Sequence, residues 1–176
     1  MCSSDLYHEL AYLHPNWFSP NPKVLDEVGL ELGEPFFVMR LVSWGAAHDI
    51  GQKGFAQDEI EEIISKLQRY GKVILSSEST EATSLIHQTF KIAPEKIHDL
   101  LYYATLYIGE GGTMATEAAL LGTPAIFVST LTAGNWQELE NKYDLMYSFN
   151  RGSEAIEKVS ELLAISNLPD RWKLKR

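Results

Sequence analysis

The stretch Leu106-Tyr-Ile-Gly-Glu-Gly-Gly-Thr-Met-Ala-Thr-Glu-Ala-Ala-Leu-Leu-Gly-Thr-Pro-Ala-Ile-Phe-Val128 decides the fold. A short apolar run, Leu106 to Ile108, leads into glycines 109, 111 and 112. Thr113 to Leu121 favours helix, Gly122 and Pro124 stop it, and Ala125 to Val128 is a second apolar run. Strand, glycine turn, helix, strand is the punctuation of an α/β unit. Glycines at such a turn are expected to take positive φ and to let a ligand approach the backbone. The N–H groups that open the following helix lack intrahelical partners and form an anion site, with phosphate the obvious candidate.

The same alternation extends outward. Phe36-Phe-Val-Met-Arg-Leu-Val42 is a continuous apolar run of the kind that suits a buried parallel strand. Ile60, Ile63, Ile64 and Leu67 give a helix over 57–70 its apolar face, and Gly71 is expected to cap it. Val73 to Leu75 predicts a second strand, and a short helix is expected around Thr83. A short strand is expected at Phe90 to Ile92, and Pro94 opens a helix carrying Ile97, Leu100 and Leu101. Asn135 with Glu138 reads as an approximate capping box, Leu145 to Phe149 as the last strand, and Ser153 as the cap of a final amphipathic helix. The sum is an α/β, Rossmann-like three-layer domain with a parallel sheet of about six strands. Ligands bind such sheets at the carboxyl ends of the strands. The loop after Val42, Ser76–Glu78, Glu110–Thr113 and Ser129–Asn135 should therefore share one edge.

Composition excludes several classes. The chain has 176 residues, a net charge of −9 and one cysteine. An acidic chain without a basic cluster is a poor partner for nucleic acid. A single cysteine excludes an internal disulfide and any cysteine-rich metal site, and no metal is expected. No apolar run approaches the roughly 20 residues of a transmembrane helix, and no signal-peptide pattern is present. The expectation is a soluble, cytoplasmic protein. Prolines 15, 20 and 22 mark residues 1–34 as a linker and lead-in, 35–166 as the domain, and 167–176 as a frayed, basic tail. Cys2-Ser-Ser-Asp-Leu6 is also what a common sequencing adapter yields on translation, so a gene fragment is one expectation and an ordinary disordered start the other.

The glycine stretch fails two motifs. A dinucleotide fingerprint needs a third glycine at 114, which is Met, and an acid after the next strand, where Ser129-Thr130 stands. A P-loop needs Gly-Lys-Ser/Thr, which is absent.

Gly111-Gly-Thr-Met-Ala-Thr-Glu117-Ala-Ala-Leu-Leu-Gly-Thr-Pro124 resembles the nucleotide-sugar motif of GT-B glycosyltransferases and UDP-N-acetylglucosamine 2-epimerases. With Tyr7-His-Glu-Leu-Ala-Tyr-Leu-His-Pro15 and Arg40-Leu-Val-Ser-Trp-Gly-Ala-Ala-His-Asp49, the chain resembles the related domain of unknown function 354 over nearly its whole length. The resemblance implies the C-terminal half of a GT-B protein, with a UDP-sugar as ligand, no cofactor, and a missing N-terminal domain as partner. It implies that Gly111, Gly112 and Thr113 hold the diphosphate and that Glu117 takes the two ribose hydroxyls. Ser43 is a weaker phosphate candidate. His48 matches a histidine-bearing loop of the epimerases, which makes it a catalytic candidate; the other reading pairs it with Asp49 in its own loop. Glu110 departs from the pattern, since a carboxylate beside a diphosphate is repulsive unless it points away; it is then expected either to cap a backbone N–H or to reach an acceptor hydroxyl. Transfer or epimerisation is the expected activity of the intact protein, and a non-catalytic nucleotide- or phosphate-binding module is the alternative.

Overall fold

A computed structural model describes residues 8–42, 54–77, 92–130 and 134–176. Two short helices, α1 (Leu10–Leu13) and α2 (Val24–Glu27), precede β1 (Phe36–Leu41). There follow α3 (Gln57–Leu67), β2 (Lys72–Ser77), a 3-10 turn at Pro94–Lys96 that leads into α4 (Ile97–Tyr103), and β3 (Leu106–Gly109). The chain continues through α5 (Gly112–Leu120), β4 (Ala125–Val128), α6 (Gly134–Asn141), β5 (Met146–Phe149), α7 (Gly152–Leu163) and α8 (Leu168–Lys175).

The strands form one parallel sheet in the order β2-β1-β3-β4-β5. The sheet has five strands among the described residues, not about six. The extra strand expected at Phe90–Ile92 falls largely outside them, and Ile92 itself is in no strand. Every residue of β3 and β4 is buried, as a central strand covered by helices on both faces requires. Contacts put α3 with α7 on one face and α4, α5 and α6 together on the other. The architecture is thus an α/β, Rossmann-like three-layer domain.

The strand order reverses direction between β1 and β3, the position where α/β sheets open a ligand crevice at their carboxyl edge. Register holds Arg40 of β1 opposite Gly109 of β3 at that point.

Several local expectations are revised. The helix expected to be the last, with Ser153 as its cap, is α7, which begins one residue earlier with Arg151 at the N-cap and is followed by α8; the Ser153 N–H donates to Glu59 Oε1 at 2.9 Å. Gly71 lies beyond the α3 C-cap, Gln68, and does not have positive φ. Gly29 does end α2 in the left-handed region, at φ 63°. The basic tail is not frayed: α8 buries Leu168 and Trp172, and the indole N–H donates to Leu145 O at 3.1 Å. The lead-in is likewise docked rather than loose. Leu13 is fully buried, Asn21 N–H donates to Asp99 Oδ1 at 2.8 Å, and Lys96 pairs with Glu27 at 2.6 Å.

Candidate functional site

The β3–α5 junction lies at the point of strand reversal. None of its three glycines has positive φ, contrary to the expectation from sequence; Gly109 and Gly112 are required by space instead. A Cβ on Gly109 would stand 2.6 Å from both Arg40 O and Tyr107 Oη, and one on Gly112 would stand 2.2 Å from the Trp136 ring. Trp136 packs on Phe127 with ring centroids 4.5 Å apart, so it forms part of the packing beside the helix start. At Gly111 the nearest atoms would be 3.6 Å away, an ordinary contact.

Gly111 occupies the N-cap of α5 in an extended conformation and has no side chain with which to cap. Its carbonyl takes the first helical bond, from Ala115, and a second from the buried Tyr107 hydroxyl at 3.2 Å. Burial raises the ionisation of Tyr107 far above the ordinary phenol value, so it stays a donor. Among the described residues no hydrogen bond takes the N–H groups of Gly112, Thr113 or Met114. Thr113 is exposed beside them. These groups carry the positive end of the helix dipole.

The starts of α3 and α7 are treated differently. Glu59 Oε2 accepts the Ala56 N–H at 2.9 Å, and its Oε1 accepts from Ser153 at the start of α7. One carboxylate thus serves the N-termini of α3 and α7, while α5 has no such partner among the described residues.

Glu110 is 6% exposed and points away from the α5 start. Its Oε2 accepts the Val42 N–H and its Oε1 the Phe55 N–H, both at 2.8 Å. The carboxylate therefore joins the end of β1 to the approach of α3. This removes the repulsion that its position in sequence suggests. Gly54 permits the arrangement, since a Cβ there would fall within 1.8 Å of Glu110 Oε1.

Glu117 lies five residues into α5, about 7.5 Å along the axis from Gly112 at the standard rise. It is buried, at 8% exposure. The Tyr12 hydroxyl donates to Oε1 at 2.8 Å and His98 Nε2 meets the same oxygen at 3.0 Å. Oε2 has no partner among the described residues and is not sealed from solvent. Tyr12 and His98 had no place in the sequence-based site. Tyr12 comes from the lead-in and His98 from the first turn of α4, 105 and 19 residues from Glu117. No local spacing announces either contact.

Arg40 donates to Ser76 Oγ at 2.7 Å; a buried arginine in this strand is expected to pair with a carboxylate such as Glu78, which lies outside the described residues, as do Ser43, Trp44, His48, Asp49 and Lys53. The junction therefore brings together Gly111, Gly112, Thr113 and Glu117.

A sequence model of the family described as "Protein of unknown function (DUF354)" matches residues 6–174. No curated protein matches the chain by sequence. Among solved structures, a Listeria monocytogenes protein assigned provisionally as a UDP-N-acetylglucosamine 2-epimerase is similar at a TM-score of 0.55 and 13% identity. The match covers 88% of this chain and 42% of that one. The S. aureus protein MnaA, solved with UDP, is similar at a TM-score of 0.57 and 10% identity, over 90% of this chain and 44% of that one. The chain spans less than half the length of these relatives. At such identities the likeness speaks to the fold.

Proposed function

We propose, for a chain that belongs to the DUF354 family, that it is the nucleotide-sugar-binding half of a GT-B-like glycosyltransferase or sugar 2-epimerase. The observation that carries this reading is the open start of α5 at the strand-reversal point, where three N–H groups have no partner among the described residues, while Glu59 serves the starts of α3 and α7 on the other face of the sheet. An anionic diphosphate fits that position by charge and donor geometry. Gly111, Gly112 and Thr113 would hold it, with the Thr113 hydroxyl as an extra donor. Glu117 would receive the ribose one and a half helical turns further on.

In either reaction the C–O bond from the sugar to the diphosphate breaks, and the departing charge is stabilised by fixed N–H donors. The proposed site uses backbone and hydroxyl groups for this and calls for no metal. His48 and Ser43, in the sequence after β1, remain proposed site residues. The acceptor wall of the cleft is proposed to come from a second domain, and the setting to be cytoplasmic. A second reading is a module that holds a nucleotide or phosphate ligand without turnover.

Titration calorimetry with UDP, UDP-N-acetylglucosamine and NAD tests the binding claim. The expected result is saturable binding of both uridine ligands, none of NAD, and a loss of about tenfold or more in Glu117→Gln from a weakened charged contact. A folded sample that binds no uridine nucleotide overturns it.

A further inference from the structure

Tyr107 belongs to β3, between β1 and β4, and is fully buried. Side chains two residues apart in a strand leave from the same face of the sheet. The Tyr107 ring therefore shares a face with Gly109, which has no side chain to obstruct it. A Cβ at Gly109 would stand 2.6 Å from the Tyr107 hydroxyl, so the glycine leaves the room that the phenol occupies. Past this gap the hydroxyl donates to Gly111 O at 3.2 Å. Residues 107, 109 and 111 are thus joined: a buried phenol lies across one glycine and holds the carbonyl of the next.

That carbonyl is half of the peptide unit between Gly111 and Gly112. In a planar trans unit the C=O and the N–H point in opposite directions. Holding Gly111 O from the Tyr107 hydroxyl and the Ala115 N–H therefore turns the Gly112 N–H the other way, out of the helix start. The unit has a glycine on each side, and glycine accepts φ of either sign. Rotation of the unit would carry Gly112 to positive φ and swing its N–H away from the opening, with no Cβ to resist it. We infer that Tyr107 is a positioning residue that locks the Gly111–Gly112 peptide with its N–H facing the anion site. The inference rests on the nucleotide reading above and deepens it: a donor to the diphosphate is aimed by a side chain of the core, not by the helix alone.

The test compares Tyr107→Phe with Thr123→Val in the full chain. Each removes one hydroxyl that donates to a backbone carbonyl and keeps the shape of the side chain. Thr123 is 1% exposed, lies beyond the far end of α5 and donates to Leu101 O at 2.7 Å, so it serves as the matched control. Two measurements are made. Hydrogen exchange of the ligand-free proteins reads the Ala115 N–H, whose acceptor is Gly111 O. It should exchange about threefold or more faster in Tyr107→Phe and at the unaltered rate in Thr123→Val, since one hydrogen bond shifts such a local equilibrium by roughly twofold to tenfold. Calorimetry should show UDP bound about threefold to tenfold more weakly by Tyr107→Phe and within about twofold of the unaltered chain by Thr123→Val. A purely structural role would lower the melting temperature of both variants and leave both readouts alike. If UDP binds but either readout is the same in the two variants, this inference fails and the nucleotide reading stands. If the unaltered chain does not bind UDP, both fail.

Discussion

Glu110 and Gly54 form a steric and electrostatic unit whose coupling can be worked out in advance. Glu110 accepts two backbone N–H groups at 2.8 Å from a nearly buried carboxylate. Hydrogen bonds to a charged acceptor contribute roughly 1.5–3 kcal/mol each. Val42 and Phe55 are only partly buried, so water recovers part of that on deletion. Glu110→Ala should therefore cost about 2–4 kcal/mol. Gly54→Ala places a methyl 1.8 Å from Oε1, 2.5 Å from Cδ and 2.9 Å from Cγ of Glu110. The carboxylate must move off the Phe55 N–H, at a cost of about 1–3 kcal/mol. All three obstructing atoms disappear in Glu110→Ala. Gly54 does not have positive φ, so in that background Gly54→Ala should be neutral, or stabilising by up to about 1 kcal/mol through the unfolded chain. The double variant should thus be less destabilised than the sum of the singles by about 1–3 kcal/mol. Urea unfolding of the four proteins, compared at unchanged m-value, measures this. Additivity within about 0.5 kcal/mol would refute the account of Glu110 as a clamp that depends on Gly54.

Three further outcomes follow from the same geometry. Gly112→Ala should destabilise by about 1–3 kcal/mol because its methyl meets the Trp136 ring, whereas Gly111→Ala should cost at most about 1 kcal/mol, the difference between glycine and alanine at an N-cap; thermal unfolding separates them. Trp172→Ala should cost about 3–5 kcal/mol by chemical denaturation, since the indole is 2% exposed and donates to Leu145 O. Lys173 is pushed down to about 7 by burial, with the Arg176 charge adding to the effect, from an ordinary 10.5. The unfolded chain then holds more protons across that window, so stability should rise from pH 7 to 9, and Lys173→Met should flatten the rise in melting temperature.

Much of this fold is written in local pattern. The runs 36–42, 106–108 and 125–128 are apolar without alternation, and each is a buried parallel strand. Glu110 was legible as a carboxylate that should turn away from a diphosphate, to a backbone N–H or to an acceptor hydroxyl, and the structure gives it two backbone N–H groups. Its donors were not legible, since Val42 and Phe55 reach it only through strand pairing at the reversal point. Gly112 was recognisable as a required glycine but for the wrong reason: a tryptophan 24 positions on, not positive φ, demands the space. Glu117 stood out by its motif. Tyr12 and His98 did not, because a contact across 105 residues depends on where the lead-in docks and leaves no periodic trace. The tail misled because its charges suggest solvent, while one residue in it, Trp172, anchors the segment.

The central claim is that a nucleotide diphosphate sits on the open start of α5. Amide-resolved NMR titration with UDP tests it most directly. The account predicts that the Gly112, Thr113 and Met114 amides shift most and saturate together with the calorimetric curve. UDP binding that leaves those three amides unmoved, with the shifts centred elsewhere, would contradict it.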